Sequence, residues 1–275
     1  MTVSFPDTFT IDTSEKYILS IRLSPDGLSF SGNIPMEENS FFFRKISFDR
    51  SKPYISSLKE FFFEQECFSW VYKKVNILCF TSQYSLVPEV FYDENKKKEL
   101  LSTTFLNPEE KILDNILLYE QGRIVFSINQ EVYGFLCRSF INAEFIHHLA
   151  PVLNLWKKQN QASLSGQMYV LLNRRTIDVS CYNKGELIFL NSFEYSSPDD
   201  IFYFLACVWT QTGLNQLEDT VFVFGNQDHH KSIMDNLRVY VQNVEIMDFP
   251  PGFHLLSNEA AQASYDLISL SICES

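Results

Sequence analysis

Positive charge is scarce in this 275-residue chain, in which 34 aspartates and glutamates outnumber 22 lysines and arginines. The resulting formal net charge of −12 repels a phosphate backbone at long range, and no long stretch gathers enough basic residues to overcome that repulsion. The composition therefore argues against a nucleic acid as the partner.

Long apolar runs are missing as well. No run approaches the length that spans a bilayer, and the opening stretch MTVSFPDTFTIDTSEK lacks the basic start and apolar centre of a secretory signal. We therefore expect a soluble, cytoplasmic protein with no membrane span.

Motifs for metal binding and covalent catalysis are also absent. None of the six cysteines stands in C-x-x-C spacing, which predicts reduced thiols that lie mostly in the core. The pairs His147-His148 and His229-His230 have no Cys or His partner at zinc-ligand spacing, so we expect solvent-facing or helix-capping roles. Ser165 precedes a glycine but lacks the rest of G-x-S-x-G. The sequence predicts no metal ligand, no cofactor and no hydrolase nucleophile.

The chain does contain many apolar and aromatic residues in regular patterns. A hydrophobic content of 45% and an aromatic content of 15% can fill the cores of two domains. Residues 16–23 and 28–32 have the pattern of strands and flank the sequence PDG, whose Asp-Gly pair suits a tight hairpin turn. A third strand is predicted from Phe41, then a helix over about residues 53–66 and the buried strand VNILCF.

The same order of elements begins again after residue 167. The stretch QNQASLSGQ at residues 159–167 holds almost nothing that could anchor it in a core, so it predicts a linker. The strands MYVLLN, TIDVSCY and ELIFLNSF follow, then a helix over about 198–212, the strand TVFVFG, a helix near 229–240 and a strand at 244–247. Each half therefore predicts a meander of strands followed by alternating helices and strands, which makes a mixed sheet covered by helices.

The predicted domains are residues 1–158 and 168–275, on either side of the linker. Between residues 82 and 115 the first domain is more polar and weakly periodic, which we interpret as a small helical insertion. Connecting segments held on a rigid scaffold often carry recognition, so the insertion is our first candidate for a partner surface. Its candidate contact residues are Lys96, Lys97 and Lys98.

The stretch TIDVSCYNKGEL, which begins at Thr176, follows the pattern T-T-D-I-A-V-Y-x-G-G-x-L at several positions. Together with the repeated order of elements, it resembles the second phosphate hairpin of the actin, Hsp70 and sugar-kinase superfamily of two-lobed ATPases. The chain is most similar to the bacterial pilus-assembly and cell-division actin homologues, and it is identified as a member of an uncharacterised bacterial family within the superfamily. The resemblance implies an α/β, actin-like ATPase fold, each lobe a ribonuclease-H-like mixed sheet with flanking helices and with its phosphate hairpin facing the cleft between the lobes.

The first hairpin departs from the family pattern at the place where active members carry D-x-G. That aspartate organises hydrated magnesium, and the glycine lets backbone N–H groups approach the phosphates. Here Arg22 and Ser24 occupy the two positions. An arginine has no lone pair to offer a hydrated metal, although its donors can contact a phosphate directly.

The second hairpin departs from its pattern, D-x-G-x-x-T-T, in a similar way. The resemblance aligns Leu171 with the acid and Asn173 with the first glycine. It aligns Arg174 and Arg175 with small residues, so that only Thr176 is retained. This hairpin too has lost the residues that approach metal and phosphate in active members.

On the adenosine side of the resemblance, Gly225 is followed by Asn226 and Gln227 where paired glycines are usual. Departures at three independent places remove parts of both the metal and the phosphate elements that phosphoryl transfer requires. We therefore expect a catalytically degenerate protein, a pseudoenzyme that acts as a protein-interaction or scaffold module. The alternatives are a nucleotide-binding ATPase with a rewritten cleft and a small-anion sensor.

Arg22, Arg174 and Arg175 are the charged residues that the resemblance places toward the cleft. They can bind an anion, or they can pair with some of the 34 acidic residues, and ion pairs are the commoner outcome. Asp26 and Asp178 are explained by the turn and by the strand pattern rather than as a pair of catalytic acids. The other residues expected to line the cleft are Ser24, Asn173, Thr176 and Gly225.

Two phenylalanine runs, at residues 41–43 and 61–63, cannot direct every side chain to one core, because consecutive residues on a strand or helix point to different sides. Either a layer of helix covers the remainder, or Phe41 and Phe61 belong to an exposed patch for a partner or a second copy. The expected partner is an unknown protein, and a homodimer stays open.

Overall fold

The computed structural model describes residues 4–160, 165–225, 230–247, 253 and 256–274. The strands in these ranges are β1 (Ile18–Ser24), β2 (Gly27–Asn33), β3 (Phe42–Ser47), β4 (Lys74–Cys79), β5 (Tyr84–Pro88), β6 (Lys111–Ile116), β7 (Gly122–Ile128), β8 (Glu144–His147), β9 (Gln167–Leu172), β10 (Thr176–Asn183), β11 (Glu186–Glu194), β12 (Thr220–Gly225) and β13 (Asn243–Met247). The α-helices are α1 (Tyr54–Glu64), α2 (Lys97–Ser102), α3 (Gln130–Ser139), α4 (Leu149–Asn160), α5 (Pro198–Thr212), α6 (His230–Tyr240) and α7 (Tyr265–Cys273).

Two sheets of the same plan organise the chain. The first has the strand order β3-β2-β1-β4-β8, and the second has the corresponding order β11-β10-β9-β12-β13. In each sheet the first strands along the chain form an antiparallel meander, and two later strands add in parallel. The predicted α/β class is therefore confirmed, with a mixed sheet in each half and a repeated plan.

The hairpin between β1 and β2 turns one residue earlier than the sequence suggests. Ser24 pairs with Gly27, so Pro25 and Asp26 form the turn and Gly27 opens the second strand. Gly27 has a φ of 153°, and a side chain there would collide with the carbonyl oxygen of Ile46 on β3. The glycine is needed for strand packing rather than for the turn.

Local signals fix both ends of α5, which spans the residues predicted for it. The backbone N–H of Ser197 donates to Asp200 Oδ2 at 2.9 Å, and the N–H of Asp200 donates to Ser197 Oγ at 3.3 Å, which is a capping box. Gly213 ends the helix in the left-handed conformation, with a φ of 70°. The buried face of α5 packs into the core of the second sheet through Ile201, Leu205, Val208 and Trp209.

The first sheet is covered on both faces, and this accounts for the phenylalanine runs. Phe42 belongs to a cluster of rings on one face that also includes Phe9 and Phe30. On the other face, Phe41 and Phe43 pack with Leu267 and Leu270 of α7.

The prediction of an exposed patch around Phe41 and Phe61 is therefore wrong. Both residues are buried, since α7 covers Phe41 and Phe61 packs against Phe30 and Phe68. Of the two runs, Phe63 alone stays outside, with 84% of its surface exposed. The helix-layer alternative holds for Phe41, and the layer comes from the far end of the sequence.

The division into compact units differs from the predicted domain boundaries. The first unit comprises residues 1–152 and 251–275, and the second comprises residues 153–250. The boundary thus falls inside α4, and residues 251–275 leave the domain predicted for them. The physical reason is the burial of the apolar side of α7 on the first sheet. Residues 161–164 of the predicted linker lie outside the described residues.

The insertion at residues 82–115 contains the helix α2 and also the strands β5 and β6, so the helical interpretation is incomplete. β5, β7 and β6 form an antiparallel three-stranded sheet, and α2 packs on it through Leu101 against Val87 and Val125. Charged residues on its strands form cross-strand ion pairs, as between Arg123 and Asp114 at 2.9 Å. These partly exposed positions hide the apolar alternation by which a strand is recognised in a sequence.

The cysteines are only partly core residues. All six are free thiols, and Cys67, Cys79 and Cys181 are buried as expected. The other three are exposed, so the expectation that most lie in the core is not met. Burial raises the pKa of Cys67 and of Cys181 to about 12, which keeps both thiols protonated and unreactive. Across the described ranges, no helix is both long enough and apolar enough to span a bilayer.

Candidate functional site

Arg22, at the metal-organising position of the first hairpin, is held in a buried ion pair. Its Nε lies 2.6 Å from Oδ2 of Asp266, at the start of α7. Its guanidinium also lies 4.4 Å from the centre of the Phe80 ring, over the ring face. The side chain of Asp266 is 1% exposed and that of Arg22 is 11% exposed. The Nε of Arg22 thus helps to attach α7 to the first sheet.

A groove of about 490 Å³ lies at the carboxyl ends of β1 and β4, beside the first hairpin. The crevice at the ends of parallel strands is where open α/β sheets usually bind ligands. The charged side chains of the groove lining are the carboxylates Glu109 and Glu131, and no lysine or arginine lines it among the described residues. Ser24 lines it as well, but its Oγ donates to the Gly27 carbonyl at 3.1 Å. The electrostatics of this groove favour a cation over a phosphate.

The helix that begins at the groove already has its first donors occupied. Asn129 precedes α3, and its Oδ1 accepts from the backbone N–H of Glu131 at 3.0 Å and of Val132 at 3.3 Å. Such N–H groups are the ones that bind anions at helix N-termini. The cap therefore removes two phosphate donors from this side of the groove.

The second hairpin is fixed by a buried carboxylate. Asp178 on β10 accepts from Asn173 Nδ2 at 2.7 Å and from Ser192 Oγ at 2.5 Å. The backbone N–H of Asn173 also donates to the carbonyl of Thr176 at 2.9 Å, which closes the turn. The side-chain amide of Asn173 thus donates its hydrogen bond within the hairpin itself. The sequence reasoning did not single out Ser192, because nothing in its own stretch marks it as a partner of Asp178.

The two arginines of this turn are exposed, and Thr176 is turned inward. Arg174 and Arg175 form the loop between β9 and β10. The Thr176 hydroxyl oxygen is buried and makes no hydrogen bond with a described residue. Arg22 belongs to the first unit, whereas this hairpin belongs to the second.

Gly225, the glycine retained on the adenosine side of the resemblance, is required by its own sheet. It ends β12 beside Leu172, with a φ of 96°. A Cβ at this position would collide with the carbonyl oxygen of Leu172. Its presence is therefore explained without a nucleotide. Asn226 and Gln227, which follow it, lie outside the described residues.

The first histidine pair is buried, so of the two expected roles the solvent-facing one is wrong, whereas His147 does have a helix-capping role. His147 Nδ1 accepts from the backbone N–H of Leu149 at 3.3 Å, which caps the start of α4. Because Nδ1 accepts this bond, Nε2 of His147 is the nitrogen that carries the proton. Nε2 lies 3.1 Å from the carbonyl oxygen of Thr81. His148 packs 4.5 Å from the ring of Phe80. His229 and the side chain of His230 lie outside the described residues, and the described residues hold no cluster of three metal-ligating side chains.

Burial of His147 predicts a loss of stability in weak acid. Burial, with a smaller electrostatic contribution from the neighbouring His148, lowers the pKa of His147 well below its usual 6.5. The unfolded chain takes up a proton near pH 6.5 while the folded chain does not, so this stability is present above pH 6.5 and is lost as the pH falls. We expect the free energy of unfolding to fall by up to about 1.4 kcal/mol per pH unit below pH 6.5. Urea unfolding between pH 7 and pH 5 checks this, and His147→Gln should flatten the dependence.

The lysines proposed for the partner surface differ in environment. Lys97 Nζ lies 2.6 Å from Asp114 Oδ1 and 3.4 Å from Glu94 Oε1, so it belongs to the ion-pair network of the insertion. Lys96 and Lys98 are exposed. Only these two present their charge to solvent.

Comparison with known proteins identifies the family. Residues 6–244 match the profile of a family described as "Protein of unknown function (DUF3822)". The chain belongs to this family. A protein of Bacteroides thetaiotaomicron, described as having an actin-like ATPase fold and unknown function, is 28% identical, with a TM-score of 0.83 over 98% of this chain and 100% of that one.

A more distant structure, the PilM-PilN type IV pilus biogenesis complex, is 9% identical to this DUF3822 member, with a TM-score of 0.53 over 94% of this chain and 97% of that one. At that identity the likeness shows the fold alone. None of the proteins of curated function matches the chain significantly. The predicted actin-like ATPase fold and membership of an uncharacterised family are confirmed.

Proposed function

We propose that this DUF3822 member is a catalytically degenerate actin-like protein that works through contacts with other proteins. The observation that carries the proposal is the ion pair between Arg22 and Asp266. The position that organises magnesium in active relatives here holds a cation, and that cation is committed to a buried carboxylate. Arg22 is held by Asp266 through its Nε, so turning its guanidinium fully to a phosphate would break this pair and leave Asp266, which is 1% exposed, as an uncompensated buried charge.

The charge of the groove beside the first hairpin supports the same proposal. Glu109 and Glu131 would repel a triphosphate, and the capped start of α3 offers fewer backbone donors. Phosphoryl transfer depends on metal and backbone donors acting together on the same phosphates. Carboxylates that repel the phosphates and a helix start with fewer free backbone donors both disfavour nucleotide binding in this groove.

A role in protein contacts follows from the surfaces that remain. A similar fold is found in the PilM-PilN complex, so a protein with this fold can take part in a protein complex. The likeness does not identify a partner for this chain. Ion pairs join the elements of the three-stranded sheet, and connecting segments held on a rigid scaffold often carry recognition. Lys96 and Lys98 are part of this proposed surface.

Titration with ATP and magnesium tests the degenerate site. We expect isothermal titration calorimetry on the full chain to detect no binding tighter than millimolar, about 4 kcal/mol. Magnesium-dependent binding in the micromolar range would end the proposal and favour a nucleotide-binding ATPase with a rewritten cleft. Pyrophosphate serves as a second probe, with Arg174→Gln combined with Arg175→Gln as the control variant. Pyrophosphate binding that this variant loses would favour the small-anion sensor.

A further inference from the structure

The two sheets differ in how their outer antiparallel strands are covered. β3 and β11 occupy corresponding positions at the ends of the two strand orders. On β3, the backbone N–H of Phe43 donates to Glu259 Oε2 at 3.0 Å, and just before it the carbonyl of Phe41 accepts from Ser257 Oγ at 2.5 Å. Side chains from the C-terminal segment thus cover this edge. β11, by contrast, pairs with β10 alone among the described strands.

The backbone of β11 directs alternate polar groups away from β10. The N–H of Tyr195, just after the strand, points toward β10, because it donates to the carbonyl of Arg175 at 3.0 Å. Directions alternate along a strand, so the backbone N–H and C=O of Leu190 and Ser192 point to the outer edge. A bulge at Ile188, which has no partner on β10, ends the regular stretch. An edge strand of this kind is a template for pairing with another strand.

One face of this edge carries a line of aromatic rings. Phe189 and Phe193 have ring centres 6.5 Å apart, and both are only partly buried against the core of the second sheet. Phe204 of α5 stacks on Phe193 at 4.8 Å, and Tyr203, which is 64% exposed, lies beside Phe204. A strand added to β11 would place its own side chains against these rings.

The charges around β11 are balanced, unlike those of the whole chain. Residues 201–217, which include most of α5, contain no charged residue. Salt screens the longer-range repulsion between two chains of net charge −12 beyond about 8–10 Å. Glu186 and Glu194 stand at the two ends of the strand. Lys157 and Lys184 lie next to the first end, and two arginines (174–175) and two aspartates (199–200) lie next to the second.

We propose that two copies of this chain pair through β11, antiparallel, about a two-fold axis at Asn191. Phe189 of each copy then lies opposite Phe193 of the other, and Leu190 lies opposite Ser192. The two Leu190–Ser192 pairs would exchange about four backbone hydrogen bonds. Those of Ser192 would replace its present N–H bond to Asn191 Oδ1 at 2.9 Å. The two five-stranded sheets would become one continuous sheet.

The sequence at the centre of β11 favours a second copy and this register. FLNSF, at residues 189–193, has a phenylalanine at each end and no charge, so an antiparallel copy meets the same pattern. An aromatic ring opposite an aromatic ring is a favourable cross-strand pair. An axis moved by one residue in either direction would place Phe189 or Phe193 opposite the polar Asn191. The strand is therefore complementary to itself, as a two-fold contact requires.

A charge at the axis tests the proposal. We expect sedimentation equilibrium of the full chain to show a monomer–dimer equilibrium in the micromolar range, since a strand contact about 20 Å long buries a small area. Asn191 is exposed, and Asn191→Lys would place two lysines opposite each other. This should weaken the dimer about fivefold. Non-specific repulsion predicts the reverse, because the new lysine reduces the net negative charge. Mixing this variant with Asn191→Asp should restore association.

A cross-link tests the register. The background carries Cys137→Ser, Cys207→Ser and Cys273→Ser, which remove the exposed thiols. Asn191→Cys would place two thiols opposite each other, in a pair of strand positions whose Cα atoms are about 4.5 Å apart, and should form a disulfide between copies. The matched control is Glu186→Cys, which is also exposed on β11 but lies about 30 Å from its own copy in this register. Circular dichroism verifies that all variants fold.

Several results would overturn the proposal. A chain that stays monomeric at millimolar concentration would leave the edge to a strand of another protein. A dimer that Asn191→Lys leaves unchanged would use a different surface. Equal cross-linking at positions 191 and 186, or none at either, would exclude this register and with it the pairing through FLNSF.

The dimer and the degenerate site can fail separately. Pairing through β11 goes beyond the proposed contacts with other proteins and uses no residue of the groove beside the first hairpin. Micromolar ATP binding would therefore end the degenerate-site proposal and leave the sedimentation result standing. A monomeric chain would leave the ATP result standing.

Discussion

Replacing Asp266 with alanine is expected to lower the free energy of unfolding by about 3–5 kcal/mol, because it leaves the charge of Arg22 buried without a partner. Arg22 is 11% exposed, and its remaining contact is the face of the Phe80 ring. Urea denaturation followed by circular dichroism measures the change. Replacing both partners with apolar residues, Arg22→Met and Asp266→Leu, should recover much of the loss, since no unpaired charge then remains.

The control for this prediction is an ion pair of the same residue types at the surface. Arg50 lies 3.4 Å from Asp26, and the two side chains are 58% and 32% exposed. Arg50→Ala should cost less than about 1 kcal/mol. If Asp266→Ala costs no more than Arg50→Ala, Arg22 is free to leave its partner, and the main argument against phosphate binding by Arg22 fails.

Gly225→Ala is expected to destabilise the second unit by about 2–4 kcal/mol in the absence of any nucleotide, because the new side chain meets a backbone carbonyl that cannot move away. That carbonyl belongs to Leu172, the strand partner of Gly225. Thermal or urea unfolding of the variant measures the loss.

Gly213→Ala separates the collision from the backbone strain. Gly213 has a similar positive φ of 70°, but a Cβ there would meet nothing within 4 Å. The cost at Gly213 should therefore be only the left-handed strain, about 1 kcal/mol. A Gly225→Ala variant no less stable than Gly213→Ala would mean that the fold does not require this glycine. A role in ligand binding would then have to explain it.

Much of the fold could be predicted from the sequence because each sheet carries its own local signals. The buried strand TVFVFG and the helix from Pro198 to Thr212 stand out without knowledge of anything distant. The strands of the insertion were missed because cross-strand ion pairs, such as Arg123 with Asp114, occupy positions where apolar residues would have marked strands. In the insertion, the local sequence pattern and the pairing of distant residues therefore indicate different secondary structures.

The candidate site was harder to predict because its decisive contacts are distant in sequence. Arg22 and Asp266 are separated by 244 positions, so the sequence could only offer ion pairing as one alternative for the arginine. Helix α7 has no counterpart in the repeated pattern, and no element was assigned to its residues. The burial of Phe41 could not be foreseen without α7.

The attachment of α7 to the first sheet also affects how the chain is made. Phe43 and Leu78 are covered by α7. This helix is translated after every other element of the first unit and after the whole of the second unit. On a ribosome, about 190 residues separate β4 from α7, which at 5–20 residues per second is roughly 10–40 s. During that interval an apolar face of the nascent sheet is open to solvent and to chaperones.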